Sequence, residues 1–185
     1  NTLIVHPMLL GFKTELNINN RQRTLFMKHA GVARHAWNQG LRYTRLILDV
    51  NNLAKQVGSD THIKFPSAID LHKWLVAEVK SVHSWYYEVS KCSPQQALRD
   101  LRLAWDRAFK KTSKPPRFKK KGQGDSFYLD GSIQCEPFKI KLPKIGWVKT
   151  FERLPSGFKP KNVTISRDGN KWFVSFKQDV EPILT

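Results

Sequence analysis

Between Lys110 and Lys121 the sequence places Lys110, Lys111, Lys114, Arg117, Lys119, Lys120 and Lys121, seven cations in twelve positions with no acidic residue among them. Such a run attracts phosphate backbones, because each phosphate it neutralises releases condensed counterions. Phe118 inside the run can stack on a base or anchor the loop to a core, and the plain alternative for the whole run is a solvated loop or a localisation signal. Just upstream, Lys91, Gln95 and Gln96 stand at the start of a segment that also carries Arg99, Arg102, Arg107, Lys110 and Lys111. Gln and Lys read base edges, whereas flanking Arg more often holds phosphates. The alternative there is a core helix with a solvated basic face.

The whole chain agrees with these segments. Thirty-two Lys and Arg against 15 Asp and Glu give a formal charge of +17 over 185 residues, which calls for a polyanionic partner. With 40% hydrophobic residues and six Trp there is enough apolar surface for a core, and disorder is excluded. Cys92 and Cys135 form no C-x-x-C pair and read as ordinary buried thiols. The histidines His6, His29, His35, His62, His72 and His83 show no ligand spacing, and the carboxylates are scattered singly, so neither a metal site nor a magnesium-dependent nuclease centre is expected in these residues. Most of the tryptophans fall on apolar faces, where core packing is the better reading than a stacking platform. No stretch approaches the roughly 20 apolar residues of a membrane helix. The run from Leu3 to Leu10 lacks the basic flank and cleavage site of a signal peptide, so a cytoplasmic address is expected. A first residue of Asn rather than Met suggests that the natural start lies upstream.

The elements that must position these side chains follow from periodicity. Gly11 to Ile18 alternates, with Phe12, Thr14, Leu16 and Ile18 on one face, as a half-buried strand does. Asn19 and Asn20 then cap a long helix to about Leu48, marked by Leu25, Phe26, Ala30, Ala33, Trp37 and Leu41. Ala68, Leu71, Leu75 and Val79 mark a second helix. Ser93 as N-cap and Pro94 at the first position open a third, with Ala97, Leu98, Leu101, Ala104, Trp105, Ala108 and Phe109 as its apolar stripe. Pro115-Pro116 ends the helical part, and strands are expected at 126–129, 138–142, 147–151, 163–167 and 172–177, the last two around an Asp168-Gly169 turn. The fold class is α+β, a small barrel or sandwich with a helical insertion after its first strand.

Five stretches together carry a family resemblance: GVARHAWNQGL at 31–41, SPQQALRDLRLAWDRAFK at 93–110, PPRFKKKGQGDSFYL at 115–129, KLPKIGWVKT at 141–150 and NVTISRDGNKWFVSF at 162–176. In this order they resemble the N-terminal half of TnpB (OrfB) proteins, transposon-encoded RNA-guided nucleases related to type V CRISPR effectors. The resemblance implies an OB-like wedge β-barrel from residues 1–18 and 113–185, with 19–112 as a helical recognition insertion. It implies a guide RNA derived from the transposon end and a target double-stranded DNA as partners, with the protein reading a short transposon-adjacent motif and RNA pairing reading the rest.

Carried over by position, the resemblance implies Phe65, Lys91 and Gln95 as motif readers, with Ser132 approaching from the barrel side. It implies phosphate contacts by Arg117, Lys119, Lys120 and Lys121, extended along the barrel by Lys139, Lys141, Lys144 and Lys149. The family continues into a RuvC-like domain whose separated acids hold magnesium, with a four-cysteine zinc module, and both lie beyond this sequence. Three readings follow: the recognition half of an RNA-guided DNA endonuclease, a nuclease-dead RNA-guided repressor on the same scaffold, or a guide-free DNA-binding protein that uses the third helix for recognition.

Overall fold

The computed structural model describes residues 8–157 and 159–180, and the opening apolar run from Leu3 lies outside them as far as Pro7. Among the described residues the chain is α+β, with three α-helices between the first and second strands and seven strands in one antiparallel sheet. By internal contacts it divides into a sheet unit, Asn1–Met27 with Gly124–Thr185, and a helical unit, Lys28–Gln123.

In the sheet unit, β1 (Met8–Asn17) pairs along its length with β7 (Lys171–Val180), and at Leu16 and Asn17 with β5 (Gly146–Thr150). β6 (Asn162–Asp168) joins β7 to β2 (Ser126–Asp130), while β4 (Lys139–Leu142) and β3 (Gln134–Glu136) extend the other side. The order β2-β6-β7-β1-β5-β4-β3 leaves β2 and β3 as edges, so the described residues form an open sheet and no pairing between those two strands closes it into a barrel. β3 was not expected from periodicity, because three residues with mostly exposed side chains carry no period to read.

The alternation expected in β1 is present: Thr14 and Leu16 are buried while Lys13 and Asn17 are exposed. Phe26, fully buried, meets Phe127 at 5.7 Å and Trp172 at 5.3 Å in edge-to-face contacts at the centre of this core. Among the described residues the buried Thr14 hydroxyl has no hydrogen-bond partner. Burying an unsatisfied hydroxyl costs about 1–3 kcal/mol, so Thr14→Val, which keeps the shape and removes the group, is expected to stabilise by about 1 kcal/mol. Urea unfolding checks this through a higher midpoint at unchanged slope; a lower midpoint would mean that the hydroxyl is satisfied.

α1 (Asn20–Gln56) is one uninterrupted helix. Its start is set by a reciprocal cap: Gln22 N–H donates to Asn19 Oδ1 at 2.8 Å and Asn19 N–H to Gln22 Oε1 at 3.1 Å. Gln22 Nε2 also donates to the Trp147 carbonyl at 2.9 Å, tying this start to β5.

In the helical unit, α2 (Ala68–Trp74) opens with a capping box between Ser67 and Asp70 and passes into a π-helical stretch, Leu75–Lys80, where a single α-helix was expected. A 3-10 turn at Ser84–Glu88 leads to α3 (Cys92–Phe109). Here the expected cap is corrected. Ser93 is buried in the first turn, Lys91 holds the N-cap position, and it is Ser90 Oγ that accepts from the Cys92 N–H at 3.3 Å. Pro94 is thus the third helical residue, where a missing N–H still costs nothing because the first four have no intrahelical partner. Leu41, Leu71, Leu75, Leu98 and Leu101 are fully buried between the helices. A Cβ on Gly40 would stand 2.7 Å from Leu98 Cδ2 and 2.9 Å from Leu101 Cδ2, so the glycine sets how closely α1 and α3 approach.

Candidate nucleic-acid interface

The basic segment after α3 is not a free loop. Trp37 Nε1 donates to the Arg117 carbonyl at 2.8 Å, and Asn38 closes a two-bond ring with Lys119, donating to its carbonyl at 3.0 Å and accepting from its N–H at 2.8 Å. About two turns further along α1, Arg45 donates to the Pro116 carbonyl at 3.2 Å, and its guanidinium lies 4.8 Å from the Phe118 ring centre. Lys119 Nζ sits 4.1 Å from the Trp37 ring centre, and partial burial there lowers its pKa against the opposing pull of Asp100. Residues 116–119 are therefore pinned by backbone contacts along α1, while the side chains of Arg117, Lys120 and Lys121 remain exposed. Phe118 anchors under Arg45 yet keeps about half of its surface open, at 49%.

α3 places Lys91, Gln95 and Arg99 at i, i+4 and i+8, on one stripe of the helix. Lys91 and Arg99 are exposed and Gln95 half-buried. Its neighbour Gln96 is engaged, donating from Nε2 to Asp100 Oδ1 at 2.9 Å. Phe65 is held elsewhere on α3. It meets Trp105 at 5.9 Å and Phe109 at 5.2 Å, with the Arg102 guanidinium 4.9 Å from its ring centre. At about 1.5 Å of rise per residue those partners lie some 10–20 Å along the helix from Gln95, so the structure brings Lys91 and Gln95 together but not Phe65 with them. The length of the connection before α2 decides where Phe65 lands, and its period carries no information about that.

In the sheet unit, Ser132 is exposed in the bend between β2 and β3. β4 and β5 pair with Lys139 opposite Lys149 and Lys141 opposite Trp147. Side chains two apart on a strand share a face, so Lys139, Lys141, Lys149 and Trp147 form one basic face with an aromatic ring among the lysines. Lys139 Nζ stands 4.8 Å from the Trp147 ring centre and 3.2 Å from Glu136 Oε2. Lys144 occupies the turn at the end of this pair with a left-handed φ of 68°. Trp147 is half-buried, and the strand register reveals it as part of this face.

A cleft of about 380 Å³ in the helical unit is lined by Lys28, Gly31, Val32, Arg34, His35, Asn38, Trp85 and Glu88. His35 Nδ1 lies 2.7 Å from the hydroxyl of Tyr86, whose pKa burial pushes up, and burial with the nearby His83 and Arg34 lowers the His35 pKa. Among the described residues no group of three or more His, Cys, Asp or Glu stands together, so these side chains do not fit the magnesium or zinc that the resemblance implies further along the family's chain.

Comparison with known proteins agrees with the chemistry of these surfaces. Residues 8–46 match a family described as a helix-turn-helix domain of the OrfB/IS605 group. In this chain that segment is β1 followed by part of the unbroken α1, so no turn separates two helices within it. The chain is 30% identical over 176 residues, 94% of its length and 41% of the relative's, to InsQ of Escherichia coli (strain K12), a candidate RNA-guided DNA endonuclease. It is 38% identical over 97 residues, 48% of its length and 23% of the relative's, to a protein of the same description from Streptomyces pristinaespiralis. The chain thus spans less than half the length of these relatives, and its match to the Escherichia coli protein runs through almost all of its own length. On these matches the chain is similar to members of the TnpB/OrfB family.

Proposed function

We propose that this chain holds a guide RNA and reads a short transposon-adjacent motif on duplex DNA as the N-terminal part of an RNA-guided DNA endonuclease. The observation that carries the reading is the stripe Lys91, Gln95 and Arg99 on α3, which sets a neutral side chain able to read a base edge between two cations suited to the flanking phosphates. The pinned segment with Arg117, Lys119, Lys120 and Lys121, and the Lys139, Lys141, Lys144 and Lys149 surface, supply backbone contacts in this reading. Ser132 joins Gln95 as a motif contact, while Phe65 serves by bracing α3. In this reading an OB-like wedge is formed by 1–18 and 113–185, and residues 19–112 are the recognition insertion. Guide RNA from a transposon end and target double-stranded DNA are the partners. A cytoplasmic address, on the nucleoid when bound, goes with them, and among the described residues no helix is long and apolar enough to cross a membrane.

Gln95→Ala tests the reading. Losing one base contact is worth about 1–3 kcal/mol of discrimination, so preference for the cognate motif over a changed one is expected to fall about tenfold or more while RNA affinity stays nearly constant. Competition binding on paired duplexes with RNA held in parallel measures both. Equal losses on motif, non-motif DNA and RNA would assign Gln95 a general role and sink its part as a reader.

A further inference from the structure

α1 contains two glycines, and close packing accounts for one of them. Gly40 lies against Leu98 and Leu101, whereas a Cβ on Gly31 would meet, among the described residues, no side chain nearer than Arg34 Nη2 at 3.6 Å, an ordinary contact. A glycine inside a helix lowers stability relative to alanine. What its missing side chain leaves is room, because Gly31 lines the cleft of about 380 Å³ between α1 and the 3-10 turn at Ser84–Glu88.

Trp85 is the aromatic wall of that cleft. Its ring stacks on Tyr86 with 4.8 Å between centres, and the His35 ring meets it edge-on at 4.8 Å and 75°. His35 is itself tied to the buried Tyr86 hydroxyl at 2.7 Å, so the indole is braced from its own chain while 37% of it stays exposed. A large ring held in this way and open to a cleft suits stacking on a second flat ring. The polar groups around it are already engaged. Glu88, an acid in the lining, pairs with Lys28 at 3.5 Å, and Asn38 directs its amide oxygen and nitrogen to the Lys119 backbone. Groups committed in this way leave the cleft to select a flat shape, not a base edge.

The Asn38 bonds also set the cleft beside the basic segment, since one side chain lines the first and holds the backbone of the second. A strand whose phosphates meet Lys120 and Lys121 therefore runs past an aromatic wall. The geometry points to this cleft as a stacking site for one unpaired base of a single-stranded nucleic acid, with Trp85 as the platform and Gly31 as the opening. Ligand clefts run from roughly 300 to 1,000 Å³, so this one suits a single nucleotide rather than several. Stacking of this kind tolerates any sequence, because every base has a flat face. The site deepens the proposed function and rests on it for the guide RNA as the source of the strand, while the base itself needs only to be unpaired.

Trp85→Leu and Gly31→Leu, in the full chain, test the site from opposite sides. The first removes the ring and keeps an apolar side chain; the second keeps the ring and fills the space with a residue that favours the helix more than glycine does. Each should lower affinity for single-stranded oligouridylate of about 12 nucleotides by roughly fivefold or more, the worth of one stacked base, with the slope of log affinity against log salt unchanged because no charge is removed. Duplex DNA, whose bases are paired, should bind both variants as it binds the parent. Thermal unfolding of Gly31→Leu should be unchanged or shifted upward, and the double variant should lose little more than either alone because both act on one base. An abasic strand of the same length keeps the phosphates and removes the bases: the parent should lose affinity for it, and the variants should bind it as the parent does. Oligothymidylate identifies the polymer, since an equal loss makes the site one for any single strand and a loss confined to RNA makes it one for the guide. Binding of the DNA strand but not of RNA by the parent, with the Trp85 effect intact, would overturn the proposed function alone. Variants that bind oligouridylate as the parent does, or that lose single strand and duplex in equal measure, would overturn the stacking site.

Discussion

Replacing Lys119, Lys120 and Lys121 together by glutamine is expected to weaken binding of single-stranded RNA by roughly ten- to a hundredfold near physiological salt. Each phosphate neutralised contributes about 0.7 to the slope of log affinity against log salt for a single strand, so the slope should become shallower by about two. Two of these side chains project freely from a segment whose backbone is held to Trp37, Asn38 and Arg45, so most of the loss is one of charge rather than of fold. Lys119 differs: its ammonium lies over the Trp37 ring, and that contact adds about 0.5–1 kcal/mol of local stability that glutamine does not reproduce. Filter binding across a salt series measures slope and affinity together. A tenfold loss with the slope unchanged would point to a displaced segment, and no loss at all would make the run a solvated loop.

Phe26→Ala should cost the sheet unit about 3–5 kcal/mol, a large part of the 5–15 kcal/mol that holds a typical domain together. The side chain is fully buried and meets two other rings at its edges, so truncation removes both the transferred surface and the aromatic pairing, and leaves a cavity that the paired strands cannot close. Phe26→Leu, which keeps most of the volume, should cost about 1–2 kcal/mol. Urea unfolding followed by tryptophan fluorescence distinguishes the two. A cost below about 1 kcal/mol for the alanine variant would mean that the site collapses around the missing ring and that these strands are less rigid than their pairing implies.

What the sequence discloses and what it hides divides along the distance over which each feature is decided. β1 and α1 are legible because alternation and the Asn19 and Gln22 cap lie within a few residues of one another. The start of α3 is misplaced by one candidate serine, since Ser90 and Ser93 both precede the apolar stripe and only the turn geometry chooses between them. Strand order is not legible at all: β1 pairs with β7 more than 150 positions away, and no local period records it. The candidate interface behaves likewise. Its charges announce themselves in Lys110 to Lys121, yet the groups that orient them, Trp37 and Asn38, come some 80 residues earlier.

The hydrogen-bonded ring between Asn38 and Lys119 bears on entropy as well as on position. A flexible basic tail must be ordered when it meets a polyanion, at about 1–2 kcal/mol for each backbone residue immobilised. Here that ordering accompanies folding of the helical unit, so under the proposed function residues 116–119 would meet a polyanion already ordered, and their electrostatic attraction would not be spent on ordering the chain. The same ring makes the strap as stable as the helix that carries it. Partial unwinding of α1 near Asn38 would release the strap and loosen the grip on the polymer at once.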